Sequence, residues 1–155
     1  LAGQKHLVGI STLDALAQHY CAPGSCLCPM LDAKKKEVFA ALYHRTDSGA
    51  LHKTTPDLAI APEKLLKEII KEKTVFLREG SQVYRHLIEE TLGSRAIFAP
   101  SYLNHPRAAT VAFLGLEELK RGNVISATAL APTYVRPSEA ELHEGTPKPT
   151  EGFSL

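Results

Sequence analysis

The period of the hydrophobic pattern changes several times along this chain, and each change marks an element. Leu27–Leu31 and Val38–Tyr43 are short apolar runs, separated by Asp32, Ala33, Lys34, Lys35, Lys36 and Glu37. Two such runs around a polar turn predict the antiparallel strands of a hairpin. The second run is apolar on both alternating sets: Val38, Ala40 and Leu42 on one, Phe39, Ala41 and Tyr43 on the other. A strand of that kind must be covered on both faces, which places the hairpin inside a sheet flanked by helices.

Upstream, residues 5–11 predict a short strand. Ser11 or Thr12 can then cap a helix, with Asp14 close to the capping-box spacing and Leu13, Leu16, Ala17 and Tyr20 on one face. Pro23, Gly24 and Ser25 mark a turn. Downstream, residues 45–49 form a polar turn. Residues 51–60 predict a third strand in which Pro56 suits an edge position or a break. Pro62 opens a helix with Leu65, Leu66, Ile69 and Ile70 as its buried stripe, and Glu63–Lys67 and Lys64–Glu68 as solvent-side pairs.

Thr74–Leu77 predicts a buried strand ended by Arg78, Glu79 and Gly80. Ser81 caps the next helix, whose buried stripe is Val83, Leu87, Ile88 and Leu92 and whose end is Gly93. Residues 96–99 predict another strand. Pro106 opens a last helix with a stripe of Ala108, Ala112, Gly115, Leu116 and Leu119, and Gly122-Asn123 stops it. Small residues in that stripe predict close approach to a sheet or a partner helix. Residues 131–136 predict a final extended piece, and residues 137–155, rich in proline, glycine and charge, a mobile tail.

Composition narrows the class. At 155 residues the chain suits one domain with a real core, and 44% hydrophobic with 23% charged residues is ordinary for a soluble globular protein. A net charge of +1 argues against a strong field for nucleic acid. No apolar run is long enough to span a bilayer, and no cleavable signal pattern opens the chain. Cys21, Cys26 and Cys28 are odd in number and match no common zinc spacing, which fits reduced thiols in a cytoplasmic setting. The seven histidines form no H-x-x-x-H or H-E-x-x-H motif.

A leading β-α, three antiparallel strands, then alternating helix and strand is the order of a ribonuclease-H-like α/β unit, the unit that is duplicated in actin-like ATPases. GISTLDALA (Gly9–Ala17), MLDAKKKEVFAALY (Met30–Tyr43) and APTYVRPSEAE (Ala131–Glu141), in this order, resemble the second half of the TsaB (YeaZ) family. The resemblance implies an actin-like lobe with a mixed sheet: residues 1–20 as the link from a first lobe, 21–136 as the lobe, and 137–155 as tail. It implies a non-catalytic scaffold in tRNA threonylcarbamoyladenosine modification. TsaD-like and TsaE-like proteins are then its partners, and contact with tRNA is at most indirect. Apart from the resemblance, no cofactor is expected, and the small stripe Ala108, Ala112 and Gly115 with the apolar helix at Leu13–Tyr20 can pack on a partner or a first lobe, or, left bare, favour a homo-oligomer. The older glycoprotease-like label comes from the same family. That family's TsaD contact uses mainly the first lobe, and the Asp-Thr-Ser type loop of that lobe has no counterpart in this sequence.

Candidate chemistry gathers at the hairpin and the turn after Leu77. Actin-type lobes grip phosphate with a tight, glycine-containing hairpin turn. Here Asp32-Ala33-Lys34 stands in that place, and Gly80 is the single glycine where an adenine-side turn favours a pair. Asp32, Lys34 and Gly80 are therefore the candidates for a degenerate nucleotide cleft. Lys34, Lys35 and Lys36 can attract phosphate or simply form a solvated tip. A metal-dependent nuclease of the ribonuclease-H type is the alternative and would need carboxylates around paired metals, for which Asp32, Glu68 and Glu79 are candidates. Asp32 can instead bond its own turn backbone. No serine, histidine and acid grouping announces a peptidase.

Overall fold

The computed structural model describes residues 6–126, 128, 129 and 135. The expected extended piece at 131–136, apart from residue 135, and the tail at 137–155 lie outside the described residues. The elements are α1 (Thr12–Ala17), β1 (Cys26–Asp32), β2 (Val38–Ala40), β3 (Tyr43–Arg45), β4 (Leu51–Lys53), β5 (Leu58–Ile60) and α2 (Pro62–Lys64), which runs on as a π-helical segment over Leu65–Ile69. They continue with β6 (Thr74–Leu77), α3 (Glu79–Val83), α4 (Arg85–Leu92), β7 (Ala96–Phe98) and α5 (Ala108–Lys120).

The hairpin is the spine of one mixed sheet. On one side β1 pairs antiparallel with β2 and β3 in a single register, from Asp32↔Val38 and Met30↔Ala40 to Leu27↔Tyr43 and Cys26↔His44. The ladder breaks at Ala41 and Leu42, opposite Pro29 and Cys28, because proline has no N–H to donate. Leu42 turns its own N–H to the Thr55 hydroxyl at 2.9 Å instead. Outside β2 and β3 lie β5 and β4, the two pieces of the third strand; the chain leaves the ladder around Pro56, as an edge position permits. On the other side β6 runs parallel to β1, and β7 parallel to β6.

Alternation sends side chains to two cores. Cys28, Met30, Val38, Ala40 and Phe76 pack against Leu65, Leu66, Ile70, Ile88 and Leu92. Leu27, Ala41, Tyr43, Val75 and Leu77 pack on the opposite face with Leu13 and Ala17 of α1. The double-faced pattern of Val38–Tyr43 is thus satisfied from both sides.

Several local expectations are corrected. Residues 6–11 make only an isolated antiparallel bridge, Leu7↔Ile125. Ser11 does occupy the N-cap position of α1, but its hydroxyl does not bond the helix; it donates to Asp57 at 2.9 Å. Ser81 lies inside α3, which starts at Glu79, and its hydroxyl donates to the Arg78 carbonyl at 2.6 Å. Val83 is exposed, because α3 and α4 are separate short helices and the stripe restarts at Tyr84. Arg45 belongs to β3 and is buried, not part of a polar turn. The stripe of α5 is exposed except at half-buried Gly115; no residue of that helix is buried.

Candidate functional site

The hairpin tip is built by Asp32. Its Oδ1 accepts from the Lys34 N–H and its Oδ2 from the Lys34 ammonium, both at 2.9 Å. The Lys34 side chain first, and its backbone N–H second, hold the Asp32 carboxyl below its usual range. Beyond it Lys34, Lys35 and Lys36 take left-handed backbone angles, φ 61°, 51° and 62°. Each such residue without glycine costs roughly 1–2 kcal/mol. The turn offsets this by closing on itself: the Ala33 N–H donates to Glu37 O at 3.0 Å and the Glu37 N–H to Lys34 O at 2.9 Å.

Gly80 lies at the same end of the sheet. A Cβ there would stand 2.6 Å from the Met30 carbonyl oxygen and 2.8 Å from its carbon, so glycine is needed for α3 to reach the backbone of β1. The fold therefore sets Asp32 and Lys34 in direct contact and lays Gly80 against β1 two residues before Asp32. Next to it Arg78 has φ 80°; its N–H donates to Asn104 Oδ1 at 2.7 Å and its guanidinium to Asn104 O at 2.8 Å.

The carboxylates of the nuclease alternative are not assembled. Asp32 faces Lys34, Glu79 lies 2.6 Å from Arg78 Nε, and Glu68 lies 4.0 Å from Lys64. Among the described residues no three His, Cys, Asp or Glu side chains are grouped to hold a metal. The thiols do not act together either. Cys28 is buried, which pushes its pKa up. Cys26 donates to Glu72 at 2.9 Å, and burial, then Glu72, pushes its pKa up to about 11. Cys21 is exposed.

A second polar cluster went unseen in the sequence. Asp14 on α1 accepts from the Tyr43 hydroxyl at 2.6 Å and from Lys53 at 2.8 Å. Lys53 also lies 2.5 Å from Asp57, which accepts from Ser11. Burial works to lower the Lys53 pKa, but Asp14 and Asp57 carry it above its ordinary value. At the other end of α1, Arg45 donates to the carbonyls of Tyr20 at 2.7 Å, Gly49 at 2.8 Å and Ala17 at 3.3 Å. These partners lie 4 to 46 residues apart, mostly far beyond the reach of local periodicity. An open groove of about 450 Å³ runs between α1 and α5, lined by Ile10, Asp14, Gln18, Phe113, Leu114 and Glu118 among others.

A sheet of three antiparallel strands extended by two parallel ones, covered on both faces, with a hairpin tip and a short helix start at one end, defines a lobe of the ribonuclease-H-like, actin-like class. Residues 1–144 match the family described as TsaD: tRNA N6-adenosine threonylcarbamoyltransferase. The chain belongs to that family, in its TsaB (YeaZ) branch. It is 29% identical over 135 residues to the tRNA threonylcarbamoyladenosine biosynthesis protein TsaB of Bacillus subtilis (strain 168), covering 85% of this chain and 56% of that protein. The chain thus spans little more than half the length of this curated relative.

Two solved structures from Pseudomonas aeruginosa share the fold. One, described as an uncharacterized protein with similarity to peptidase YEAZ, has a TM-score of 0.66 at 22% identity, covering 86% of this chain and 60% of that one. The other, YeaZ, has a TM-score of 0.63 at 19% identity, covering 84% and 61%. No helix among the described residues is long and apolar enough to cross a membrane.

Proposed function

We propose that the chain is the second lobe of a TsaB-type subunit and serves tRNA threonylcarbamoyladenosine biosynthesis as a scaffold that performs no chemistry itself. Residues 1–20 act as the link into the lobe, 21–136 as the lobe and 137–155 as its tail. It works in the cytoplasm beside TsaD-like and TsaE-like proteins, and it meets tRNA only through them. The family match over residues 1–144 and the identity to the Bacillus subtilis protein support this reading.

One observation carries the non-catalytic part. The amides of Ala33, Lys34 and Glu37, which a phosphate-gripping turn would aim outward, are already bonded within the turn. The Asp32 carboxylate held ionised beside them would repel a phosphate. Asp32, Lys34 and Gly80 are then relics of a cleft and no longer a working one.

Calorimetric titration with ATP and magnesium tests it. The expected result is no saturable binding at submicromolar concentration; tight binding accompanied by amide shifts at residues 32–36 overturns the reading. If, as the family resemblance implies, the contact with TsaD runs mainly through a first lobe, immobilised chain should retain purified TsaD only weakly, and stoichiometric capture would contradict the lobe assignment.

A further inference from the structure

Two histidines that no short motif connects are brought face to face by the sheet. β3 pairs antiparallel with β4 in the register Tyr43↔Lys53, His44↔His52 and Arg45↔Leu51. Two residues to either side, the Thr54 N–H donates to the Leu42 carbonyl and the Thr46 N–H to that of Ala50, both at 2.8 Å. His44 and His52 are therefore a hydrogen-bonded pair, with Cα atoms about 5.5 Å apart and side chains on one face. His44 is half-buried and His52 exposed, on a strand at the edge of the sheet. Among the described residues neither imidazole is engaged in a hydrogen bond or an ion pair. The neighbouring pairs point the other way. Tyr43 lies in the core under α1, Arg45 reaches the carbonyls of α1, and Lys53 is held by Asp14 and Asp57. The Lys53 ammonium thus sits on the opposite face, neutralised there, and does not repel a cation at the histidines.

We propose that His44 and His52 together chelate one divalent transition-metal ion of the kind that favours imidazole, such as zinc, nickel or copper, across the β3–β4 hairpin. Each ring nitrogen needs to stand about 2.0–2.1 Å from the ion, and side chains directly opposed on neighbouring strands can converge on one such point. The backbone is set for this before any ion arrives. Buried Arg45 anchors β3, and the turn closes with the Gly49 N–H on the Thr46 carbonyl at 2.9 Å and the Ala50 N–H on the Thr46 hydroxyl at 3.0 Å. Only the two rings remain to be ordered, which keeps the cost of binding low. Cys26 faces His44 from β1, in the same row. Strands lie about 4.8 Å apart, so Cys26 is two strands from His52, and its thiol already donates to Glu72. It does not join the pair. Among the described residues no third imidazole, thiol or carboxylate completes the set, so water fills the other positions and the ion exchanges freely. The site is thus an exchangeable staple on the edge hairpin, unlike the closed four-ligand centre of a structural zinc. The ion favours the folded chain, because only there are the two imidazoles held opposite each other. Such a site is independent of the scaffold role.

Isothermal titration of the full chain with Ni²⁺ tests this, in a buffer free of chelators, with the thiols kept reduced and circular dichroism to confirm that each variant is folded. The expected result is saturable one-to-one binding in the micromolar range, which Mg²⁺, a cation of oxygen ligands, does not give. His52→Gln and His44→Gln should each weaken it at least about tenfold. Cys21→Ser, at an exposed thiol, should leave it unchanged. Ni²⁺ should also raise the thermal midpoint of the parent chain but not that of His52→Gln. Absence of saturable binding, either histidine variant binding as tightly as the parent, loss of binding in Cys21→Ser, or an equal rise of the midpoint in His52→Gln overturns the proposal.

Discussion

Two helices lie side by side in this molecule and use the same kind of sequence in opposite ways. Both α1 and α5 carry apolar residues at helical spacing. In α1, Leu13, Leu16 and Ala17 are 3%, 0% and 0% exposed, and Leu13 and Ala17 rest on the sheet face formed by Leu27, Ala41 and Tyr43. In α5 no residue is buried, and the carboxylates Glu117 and Glu118 turn toward the body while the apolar stripe looks outward. Periodicity announces that a face wants cover; it does not say what will supply it. The six residues of α1 are held by contacts from distant strands, Asp14 to Tyr43 and Lys53 near its start and Arg45 at its end. For α5 the single side-chain hydrogen bond of this kind among the described residues is Thr110 to His19, at 3.1 Å.

The largest test of this contrast is a matched truncation. Leu16→Ala should cost about 2–5 kcal/mol of unfolding free energy, since it empties a fully buried site. Leu116→Ala, at a site half open to solvent, should change it by less than about 0.5 kcal/mol, measured by urea denaturation at concentrations where the chain is monomeric. Equal losses would mean that α5 is covered in the folded monomer after all.

A smaller effect concerns the lock on α1. Arg45→Met roughly keeps the volume but leaves the buried carbonyl of Ala17 and the half-buried one of Tyr20 without their donor, and should cost about 1–3 kcal/mol. Amide exchange should then speed up over residues 12–20 more than over β6; uniform exchange across both would show that Arg45 supports the sheet and not the helix.

The smallest effect is read from pH. Burial first, then the Asp14 carboxylate, drives the Tyr43 phenol far above its ordinary pKa. Below about pH 10 both folded and unfolded chains keep that proton; above it the unfolded chain alone releases it, so stability falls as pH rises. Cys26, raised from 9.0 to about 11, adds the same sign of slope from pH 9 upward. Thermal melting followed from pH 8 to 11 should therefore show a declining midpoint. Tyr43→Phe should flatten the decline above pH 10 while lowering the neutral-pH midpoint slightly, through the lost 2.6 Å bond. An unchanged alkaline slope in Tyr43→Phe would place the dependence elsewhere.

The candidate site shows the same division. Asp32 at the end of a strand, followed by lysines, was readable as a turn that bonds its own backbone, and the 2.9 Å contacts to Lys34 have that form. The left-handed backbone at Lys34, Lys35 and Lys36 was not readable, because nothing in those residue types favours it. Gly80 stood out as an isolated glycine, yet its physical reason is the Met30 carbonyl 2.6 Å from where a Cβ would lie, on a strand some fifty residues earlier. The nuclease trio looked plausible along the chain only because sequence order says nothing about whether Asp32, Glu68 and Glu79 share a centre.

Local pattern alone determined the strands β1, β2 and β6, the two-faced burial of Val38–Tyr43, the break at Pro56 and the strand–helix order that sets the class of fold. Those features depend on alternation and on the missing N–H of proline, which act within a few residues. Tertiary structure decided which side of α5 faces solvent, that Arg45 is buried, and that Asp14, Tyr43, Lys53, Asp57 and Ser11 meet. Each of those outcomes depends on the free energy of bringing together groups remote in the chain, and no short window of sequence contains both partners.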